Sequence, residues 1–348
     1  MLEITLADLR IRLRQFLIAV VGAGVVFAMA LLLTGMSQGF YNEVERTVAS
    51  IDGDTWVVPE GASGPFTSVQ SVPASRVDEV GTSPGVEAAG GAAISLQTVD
   101  KGSGELERVM MVGADDDALI EPDEGEPVRA ADEAVADERL DLEIGDTFVL
   151  GPRTFTVVGL VEGLTMIGGT PDIFVSLDAA QDVLFGGEDL VTSIWVRGTP
   201  ESLPDGLVAM TPDEVEDDSL GPMEDAVSSV DNSRYLMWAV AAIIVAALVY
   251  VSALQRTRDF AVLKAMGASS VSLFLGVATQ AVVISLGAAA FAAATSGLFR
   301  PAYTVPLEVP WTAYLLLPAV AIGVGVLSSL VALRRAVNVD PALAFGAA

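Results

Sequence analysis

The stretch FLIAVVGAGVVFAMALLLTGM, residues 16–36, contains no charged side chain. A helix rises about 1.5 Å per residue, so this stretch can cross the hydrocarbon core of a bilayer, which is about 30 Å thick. A cleaved signal peptide is the alternative interpretation, because Arg10, Arg12 and Arg14 precede the stretch and it contains Ala-Met-Ala, which resembles a cleavage site. The apolar part of a signal peptide is shorter, about 7–15 residues, so we expect an uncleaved anchor.

Three further uncharged stretches, residues 235–254, 271–293 and 311–333, have the length for one crossing each. If the chain has four crossings, the basic residues in their short flanks all lie on one side of the membrane. They are Arg10, Arg12, Arg14, Arg256, Arg258, Lys264, Arg334 and Arg335. Because loops rich in lysine and arginine stay in the cytoplasm, we expect both termini to be cytoplasmic at the plasma membrane.

The region between the first two crossings alternates β-rich runs, such as DTWVVPE, ERVMMVGAD, DIFVSL and SIWVRG, with turn signals. The run GDTFVLGPRTFTVVGLVEG predicts a hairpin that turns at Gly151-Pro152, and residues 177–186 predict a short helix ended by glycine. The predicted fold is an α-helical membrane protein with four transmembrane helices and a large extracytoplasmic mixed α/β domain between helices 1 and 2.

The predicted boundaries follow from these segments. A cytosolic amphipathic helix takes residues 1–15, the crossings take 16–36, 235–254, 271–293 and 311–333, and the acidic α/β domain with its stalks takes 37–234. A cytosolic segment (255–270), an external loop (294–310) and a cytosolic tail (334–348) complete the chain.

Charge is divided between these parts. The chain has a formal charge of −28, but residues 40–231 hold 41 of the 46 acidic and 8 of the 18 basic residues, a charge of −33. Strong self-repulsion of this kind is reduced by salt, so we expect adaptation to a saline environment, as in halophilic archaea. An acidic surface that serves only solubility is the alternative. No basic face is present to bind nucleic acid.

Missing residue types exclude several kinds of chemistry. The chain has no cysteine and no histidine, which removes thiolate nucleophiles, imidazole bases and thiolate or imidazole zinc sites. Its two lysines follow Asp100 and Leu263, so no Gly-Lys pair exists for an ATP-binding P-loop. The runs ADDDAL and EPDEGEP lack the spacing of a calcium loop, and we expect a solvated acidic surface there. We therefore expect no catalytic residue, no metal and no cofactor.

The run RTRDFAVLKAMGAS, residues 256–269, lies between the second and third crossings. Phe260, Leu263 and Met266 (or Gly267) recur every three residues and form one stripe of a short helix. Gly267 suits the left-handed conformation that ends a helix. On these grounds alone, a helix that docks on a partner and an ordinary amphipathic linker are equally good interpretations.

This run resembles the junction of FtsX/MacB-like ABC transporter permeases, in which a basic and an acidic residue precede a short apolar run and AMGAS or ALGAS. The likeness continues in VADERLDLEIGDTFVLGPRTFTVVGLVE, VGADDDAL, FVSLDAAQDVL and the tail LRRAVNVDPALAF. DTWVVPEG is similar to the subgroup of exporter permeases first known from heterocyst glycolipid export. Asp259 departs from the glutamate that is common in the family, and the outer domain is unusually acidic.

The resemblance implies a permease that works as a dimer, either of two identical chains or with a paralogous permease. It also implies a separate P-loop ABC ATPase, with an extracellular adaptor protein and membrane lipids as further partners. The ATPase-coupling helix would comprise Arg256, Arg258, Asp259, Phe260, Leu263, Lys264, Met266 and Gly267. The chain itself would be non-catalytic.

Three functions fit this organisation. The first is the transmembrane subunit of an ABC exporter, or of a mechanotransmitting extruder, that expels amphiphilic substrates. The second keeps the ATPase but regulates an extracellular enzyme without transport. The third, a membrane-anchored receptor or adhesin without an ATPase, leaves the segment 256–267 without a role.

Topology is testable because the chain has no native cysteine. Cysteines introduced singly at Ser63 and Ser202 should react with an impermeant reagent in intact cells, whereas one at Ser269 should react only after lysis. The charge asymmetry of the flanks gives this expectation. Labelling of residue 269 in intact cells would contradict it.

Overall fold

A computed structural model describes residues 13–102, 106–115, 118–255, 262, 264, 266–267, 269–297 and 307–337. The chain divides into two compact units. Met1–Gln38 and Ser228–Ala348 form one, which we call the helical unit. Gly39–Val227 form the other, which we call the sheet unit.

Seven α-helices occur among the described residues. They are α1 (Leu13–Val48), α2 (Ser75–Gly81), α3 (Leu177–Phe185), α4 (Pro212–Leu220), α5 (Glu224–Gln255), α6 (Ser270–Ser296) and α7 (Trp311–Val337). Local signals set several of their ends. The hydroxyl of Thr211 caps α4 and Glu214 completes a capping box, while Gly186, with φ of 65°, ends α3 in the left-handed conformation.

The strands of the sheet unit are β1 (Thr55–Pro59), β2 (Val72–Pro73), β3 (Val86–Asp100), β4 (Leu106–Ala114), β5 (Glu124–Gly125), β6 (Glu133–Asp137), β7 (Thr147–Leu150), β8 (Arg153–Val161), β9 (Thr165–Met166), β10 (Thr170–Ser176), β11 (Leu190–Val191), β12 (Ser193–Gly198) and β13 (Leu207–Met210). The main sheet has the order β13-β1-β12-β3-β4-β10-β6-β8-β5. The pairs β4–β10 and β6–β8 are parallel, and the other neighbours on this path are antiparallel.

Both faces of the sheet are buried, so its strands are apolar on both sides. On one face Trp56 and Trp195 pack with Ile94, Val112 and Phe174, beneath Val44 and Val48 of α1. On the other face Phe148 and Phe155 stack with ring centroids 5.6 Å apart, beneath Ala179 and Ala180 of α3. Successive residues of β3, β4 and β10 alternate between these two cores, as the two-residue period of a strand requires.

Small residues bring the helices of the helical unit close together. A Cβ added to Gly24 of α1 would lie 2.6 Å from the ring of Phe291 in α6, and one added to Gly287 of α6 would lie 3.1 Å from Val20. The hydroxyl groups of Ser296 and Tyr314 join α6 to α7 at 3.3 Å. Phe27 packs against Trp238 of α5, with ring centroids 6.0 Å apart. Close backbone approach of this kind is typical of helices that pack in a bilayer.

Among the described residues, three helical segments are long and apolar enough to span a membrane: Leu17–Val48, Pro212–Val251 and Leu275–Ser296. The fourth predicted crossing falls within α7, where Trp311–Val320 forms a shorter apolar segment. The structure thus supports membrane helices and a large mixed α/β unit, while the count of four crossings stays a prediction.

The predicted strands and hairpin are confirmed. The four β-rich runs form β1, β4, β10 and β12, and β7 pairs with β8 around Gly151-Pro152, with Leu150 opposite Arg153. The longest strand, β3, was not predicted. Its sequence VEAAGGAAISLQTVD contains two glycines and four alanines near its start, which have low strand propensity. Gly90 is needed there because a Cβ would lie 2.4 Å from the ring of Trp195.

The close contact between β4 and α3 gives a stability prediction. A Cβ on Gly113 would lie 2.1 Å from the Cβ of Ala180, so Gly113→Ala should force the helix away from the sheet. We expect a loss of about 1–3 kcal/mol in the free energy of unfolding, measured by denaturant titration of the purified chain in detergent.

The matched control is Gly221→Ala, because a Cβ at Gly221 meets nothing within 4 Å and the residue has a helical backbone. This variant should be neutral or slightly stabilising. Equal stability of the two variants would show that the β4–α3 contact is not the constraint we describe.

Candidate coupling segment and buried polar groups

The predicted coupling helix lies between α5 and α6. Arg256, Arg258, Asp259, Phe260 and Leu263 lie outside the described residues, so their roles stay predictions. Lys264, Met266 and Gly267 are described, and they lie at the end of a helical turn. The Met266 N–H donates to the carbonyl oxygen of Val262 at 3.0 Å, which is the spacing of an α-helix.

Gly267 ends this turn. Its N–H donates to the carbonyl oxygen of Lys264 at 3.0 Å, and its φ of 91° is open to glycine but strained for other residues. Two residues later, the hydroxyl of Ser269 accepts a hydrogen bond from the Ser272 N–H and caps the start of α6. The chain therefore leaves one helical turn and enters the next helix within three residues.

The described apolar residues of this turn are exposed in the single chain. Met266 is 71% exposed and Val262 is 44% exposed. Side chains of this type cover apolar surface when a partner is present, and exposed apolar groups concentrated on a short segment mark contact sites. The geometry is that of a short helical turn which offers apolar groups shortly before the start of α6.

A polar cluster in the helical unit joins α1 to α5. The hydroxyl of Ser37 donates to Asp231 Oδ1 at 2.6 Å, and the Arg234 guanidinium lies 3.2 Å from both that hydroxyl oxygen and Asp231 Oδ1. The guanidinium also lies 4.9 Å from the ring centroid of Tyr235. We call Ser37, Asp231 and Arg234 the helix clamp. The helix clamp gives the charged side chains of Asp231 and Arg234 hydrogen-bonding partners at the point where the apolar part of α5 begins.

A second cluster lies in the sheet unit and consists of Glu43 on α1, Asp137 at the end of β6 and Asp172 on β10. We call it the acid cluster. All three side chains are buried, with 3%, 1% and 0% of their surface exposed. Burial of a charged carboxylate is unfavourable unless it is paired or hydrogen-bonded, so such a group needs an explanation.

Each member of the acid cluster contacts residues 163–169, the segment that leads from β8 into β10. We call this segment the latch loop. The Gly169 N–H donates to Glu43 Oε1 at 2.7 Å, and the Leu164 N–H donates to Asp137 Oδ2 at 2.8 Å. Asp172 lies within 2.7 Å of the hydroxyl of Thr47, which in turn lies 3.0 Å from the carbonyl oxygen of Thr165.

Burial raises the pKa of Asp137 and the pKa of Asp172. For Asp137, this rise in pKa is partly opposed by hydrogen bonds from the backbone of Arg139 and Leu164 and by the positive charge of Arg139. Burial raises the pKa of Asp172 well above the ordinary value; the contact with Thr47 opposes the rise, and the negative charges of Asp137 and Glu43 add to it.

Neither cluster was predicted from the sequence. The only signal for Asp172 was its position inside the apolar run TPDIFVS, where an acidic residue interrupts a buried strand. Among the described residues, no group of three histidine, cysteine, aspartate or glutamate side chains is arranged to hold a metal ion. Asp116 and Asp117 of ADDDAL lie outside the described residues.

Helical segments that are long and apolar enough to span a membrane, together with a large mixed α/β unit, are typical of a membrane permease with a large domain outside its crossings. Comparison with known families agrees. Residues 16–211 match the MacB-like periplasmic core domain, and residues 235–341 match the C-terminal domain of FtsX-like permeases. The chain belongs to this family of ABC transporter permeases.

Full-length relatives support the same assignment. An ABC transporter permease of Mycobacterium bovis, named as uncharacterised, is 39% identical over 350 residues, which is 99% of both chains. An uncharacterised ABC transporter permease of Mycobacterium tuberculosis is 37% identical over 350 residues, again 99% of both chains. These relatives are mycobacterial, so they give no support to the expectation of a halophilic, archaeal source.

Two solved structures are similar in part. The periplasmic region of MacB from Actinobacillus actinomycetemcomitans aligns with 50% of this chain and 96% of its own, at 12% identity and a TM-score of 0.35. The extracellular domain of the transporter YknZ from Gram-positive bacteria aligns with 45% of this chain and 100% of its own, at 13% identity and a TM-score of 0.34.

The helix clamp predicts energetic coupling between α1 and α5. Ser37→Ala and Asp231→Ala should each reduce stability, but the double variant should lose less than the sum of the two, because both changes break the same hydrogen bond. We expect a coupling of about 0.5–1.5 kcal/mol, measured by unfolding of the four proteins in detergent.

The control pair is Ser37→Ala with Asn232→Ala, since Asn232 is exposed and contacts only Ser228 on its own helix in the described hydrogen bonds. Their effects should add within about 0.3–0.5 kcal/mol. The same additivity in the Ser37–Asp231 pair would disprove the clamp.

Proposed function

We propose that this chain is the transmembrane subunit of an ABC exporter, or of a mechanotransmitting extruder, that expels amphiphilic substrates. Energy comes from a separate P-loop ATPase, since the chain has no Gly-Lys pair to cradle ATP phosphates. Two permease chains, identical or paralogous, pair in the plasma membrane with their termini in the cytoplasm, and the sheet unit lies outside. An extracellular adaptor receives the substrate.

One observation supports the coupling role: the helical turn that ends at Gly267 presents an exposed Met266 shortly before the start of α6. Phe260 and Leu263 fall on the same stripe by their spacing. A stripe of this kind suits a groove on a partner, because each fully buried side chain contributes about 1.5–3 kcal/mol to association. In the receptor or adhesin alternative this stripe has no purpose.

In the proposed cycle, ATP binding draws the two ATPase subunits together, and their grooves carry the two coupling helices with them. The movement passes through α5 and α1 to the sheet unit. The uncharged small-residue runs of α6 permit close packing while the helices shift. Regulation of an extracellular enzyme would use the same movement without cargo.

The decisive variant is Leu263→Asp. It removes an apolar contact and requires the ATPase groove to bury an unpaired charge, so association should weaken by at least about tenfold, since each 1.4 kcal/mol corresponds to that factor. ATP-driven activity should fall in parallel. The measurements are pull-down of the ATPase and ATP hydrolysis in reconstituted membranes.

Ala265→Asp is the matched control, because two residues along a helix turn the side chain by about 200°, away from the stripe. It should keep the ATPase. Arg258→Glu should have a milder effect than Leu263→Asp if Arg258 only anchors the topology. If Leu263→Asp inserts normally and keeps both its ATPase and its activity, the segment is a plain linker.

A further inference from the structure

The acid cluster lies beneath the end of α1, on the sheet face that holds Trp56 and Trp195. β6 and β10 are antiparallel neighbours, with Ile173 opposite Ala136. The same register places Asp172 opposite Asp137. Both carboxyl groups therefore occupy the same face of the sheet. Glu43 and Thr47 are four residues apart on α1 and lie one turn from each other along the same side of the helix.

The number of protons available at the Thr47 hydroxyl indicates that the Asp172 carboxyl group is protonated. The hydroxyl of Thr47 lies 3.0 Å from the carbonyl oxygen of Thr165 and 2.7 Å from Asp172 Oδ2. A hydroxyl has one proton to donate, and a carbonyl oxygen has none. When Asp172 is ionised, the Thr47 hydroxyl donates to the carboxylate and has no second proton for Thr165. When Asp172 is protonated and donates to the Thr47 oxygen, Thr47 can donate to Thr165, and both contacts are then hydrogen bonds.

The other members of the cluster accept hydrogen bonds from backbone N–H groups, and such bonds favour the ionised form of a carboxyl group. Both oxygens of Asp137 accept backbone N–H groups, from Arg139 at 3.0 Å and from Leu164 at 2.8 Å, and Glu43 accepts one from Gly169. By contrast, Asp172 Oδ1 is buried and has no hydrogen-bond partner among the described residues. A negative charge on Asp172 would be left uncompensated there, whereas a neutral carboxyl group is tolerated.

The surrounding charges favour a neutral Asp172. From α1 come Glu43 and Arg46, whose guanidinium lies 3.1 Å from the position of a Cβ on Gly163. From β6 and the turn after it come Asp137 and Arg139, and the latch loop itself carries no titratable side chain. The charges that act on Asp172 itself are the negative ones of Asp137 and Glu43, so a neutral Asp172 avoids a third carboxylate there. Burial and the nearby carboxylates raise the pKa of Asp172, which agrees with the geometric argument.

The latch loop is held in a costly conformation. Ile167 has φ of 53°, in the left-handed region that β-branched residues avoid, and Gly163, Gly168 and Gly169 are also left-handed. A loop of this kind persists only when its contacts over-determine it. Three of those contacts come from Glu43, Thr47 and Asp137.

We propose that Asp172 is protonated in this arrangement, and that loss of this proton as the surrounding pH rises releases the latch loop from α1. The acid cluster is then a pH-controlled latch between the end of α1 and the sheet. The proposal is independent of transport, because it concerns contacts within the sheet unit.

Proton linkage gives the sign of the effect. Because the pKa of Asp172 is raised in the folded chain, the folded chain holds more protons than the unfolded chain above the ordinary aspartate value of about 3.9. The latched state is therefore most stable at low pH. As the pH rises from the ordinary value toward the folded-state value, its population relative to the released state falls by up to about tenfold per pH unit, and the fall levels off above the folded-state value.

The test compares the full chain with Asp172→Asn in lipid nanodiscs, by hydrogen exchange and mass spectrometry of peptides covering residues 40–48 and 163–169. The asparagine amide can donate to Thr47 but cannot ionise. At about pH 4, close to the ordinary aspartate value, the two proteins should exchange almost equally. At about pH 8.5 the wild-type peptides should exchange at least about tenfold faster than those of the variant. Comparison at one pH cancels the intrinsic pH dependence of exchange.

The matched control is Glu87→Gln, an exposed carboxylate on β3, which should keep the wild-type pH profile. Infrared spectroscopy provides a measurement that does not depend on folding of the asparagine variant. The wild type should show the band of a protonated carboxyl group that disappears as the pH rises, and Thr47→Val should shift this band because it removes the hydrogen-bond partner.

Two results would overturn the proposal. One is equal exchange of wild type and Asp172→Asn at every pH. The other is a wild-type infrared spectrum without a protonated carboxyl band that responds to Thr47→Val. If Asp172→Asn does not fold, the infrared result alone decides.

Discussion

The packing of the last turns of α1 on one face of the sheet is the interaction on which the sheet unit depends. Val44, Val48 and Ile51 cover the core that contains Trp56, Trp195 and Phe174. Without this cover, the largest aromatic groups of the unit would face water, because only one face of the sheet is covered by α3. The same turns carry Glu43 and Thr47, so apolar burial and the polar contacts of the latch loop occupy one short helical stretch.

This arrangement explains why acidic side chains are tolerated in the interior. A carboxylate that accepts two backbone N–H groups, as Asp137 does, replaces much of the hydration that it loses. Asp172 has no such donors, and its single partner is the hydroxyl of Thr47. In our proposal, two aspartates on adjacent strands differ in protonation for a local reason, which is the supply of hydrogen-bond donors around each one.

Sequence patterns predicted the regular parts of this fold well. The uncharged stretches lie in long helices, the runs rich in valine, isoleucine and aromatic residues form strands, and glycine at residue 186 ends α3 as expected. β3 escaped prediction because its glycines and alanines are selected by the bulk of Trp195 and other neighbours, which only the folded sheet brings near. Tertiary contact decided that strand, and local propensity did not.

The functional residues divide in the same way. The coupling segment was recognisable because its signal is local: a charged run with a three-residue apolar repeat and a terminal glycine, of which Gly267 has the left-handed backbone that the pattern required. The helix clamp and the acid cluster join residues that are far apart in the chain, such as Ser37 with Asp231 and Thr47 with Asp172. A periodicity of three or two residues carries no information about such pairs, and only the fold reveals them.

The order of strands in the sheet has a consequence for biogenesis. β1, near the start of the unit, is hydrogen-bonded to β12 and β13, near its end, with Pro59 opposite Leu207. The sheet therefore stays incomplete until almost the whole unit has left the membrane insertion machinery. Until then, the backbone groups of β1 lack their strand partners. The many carboxylates of the sheet unit repel one another, and this repulsion favours solubility of the incompletely folded chain.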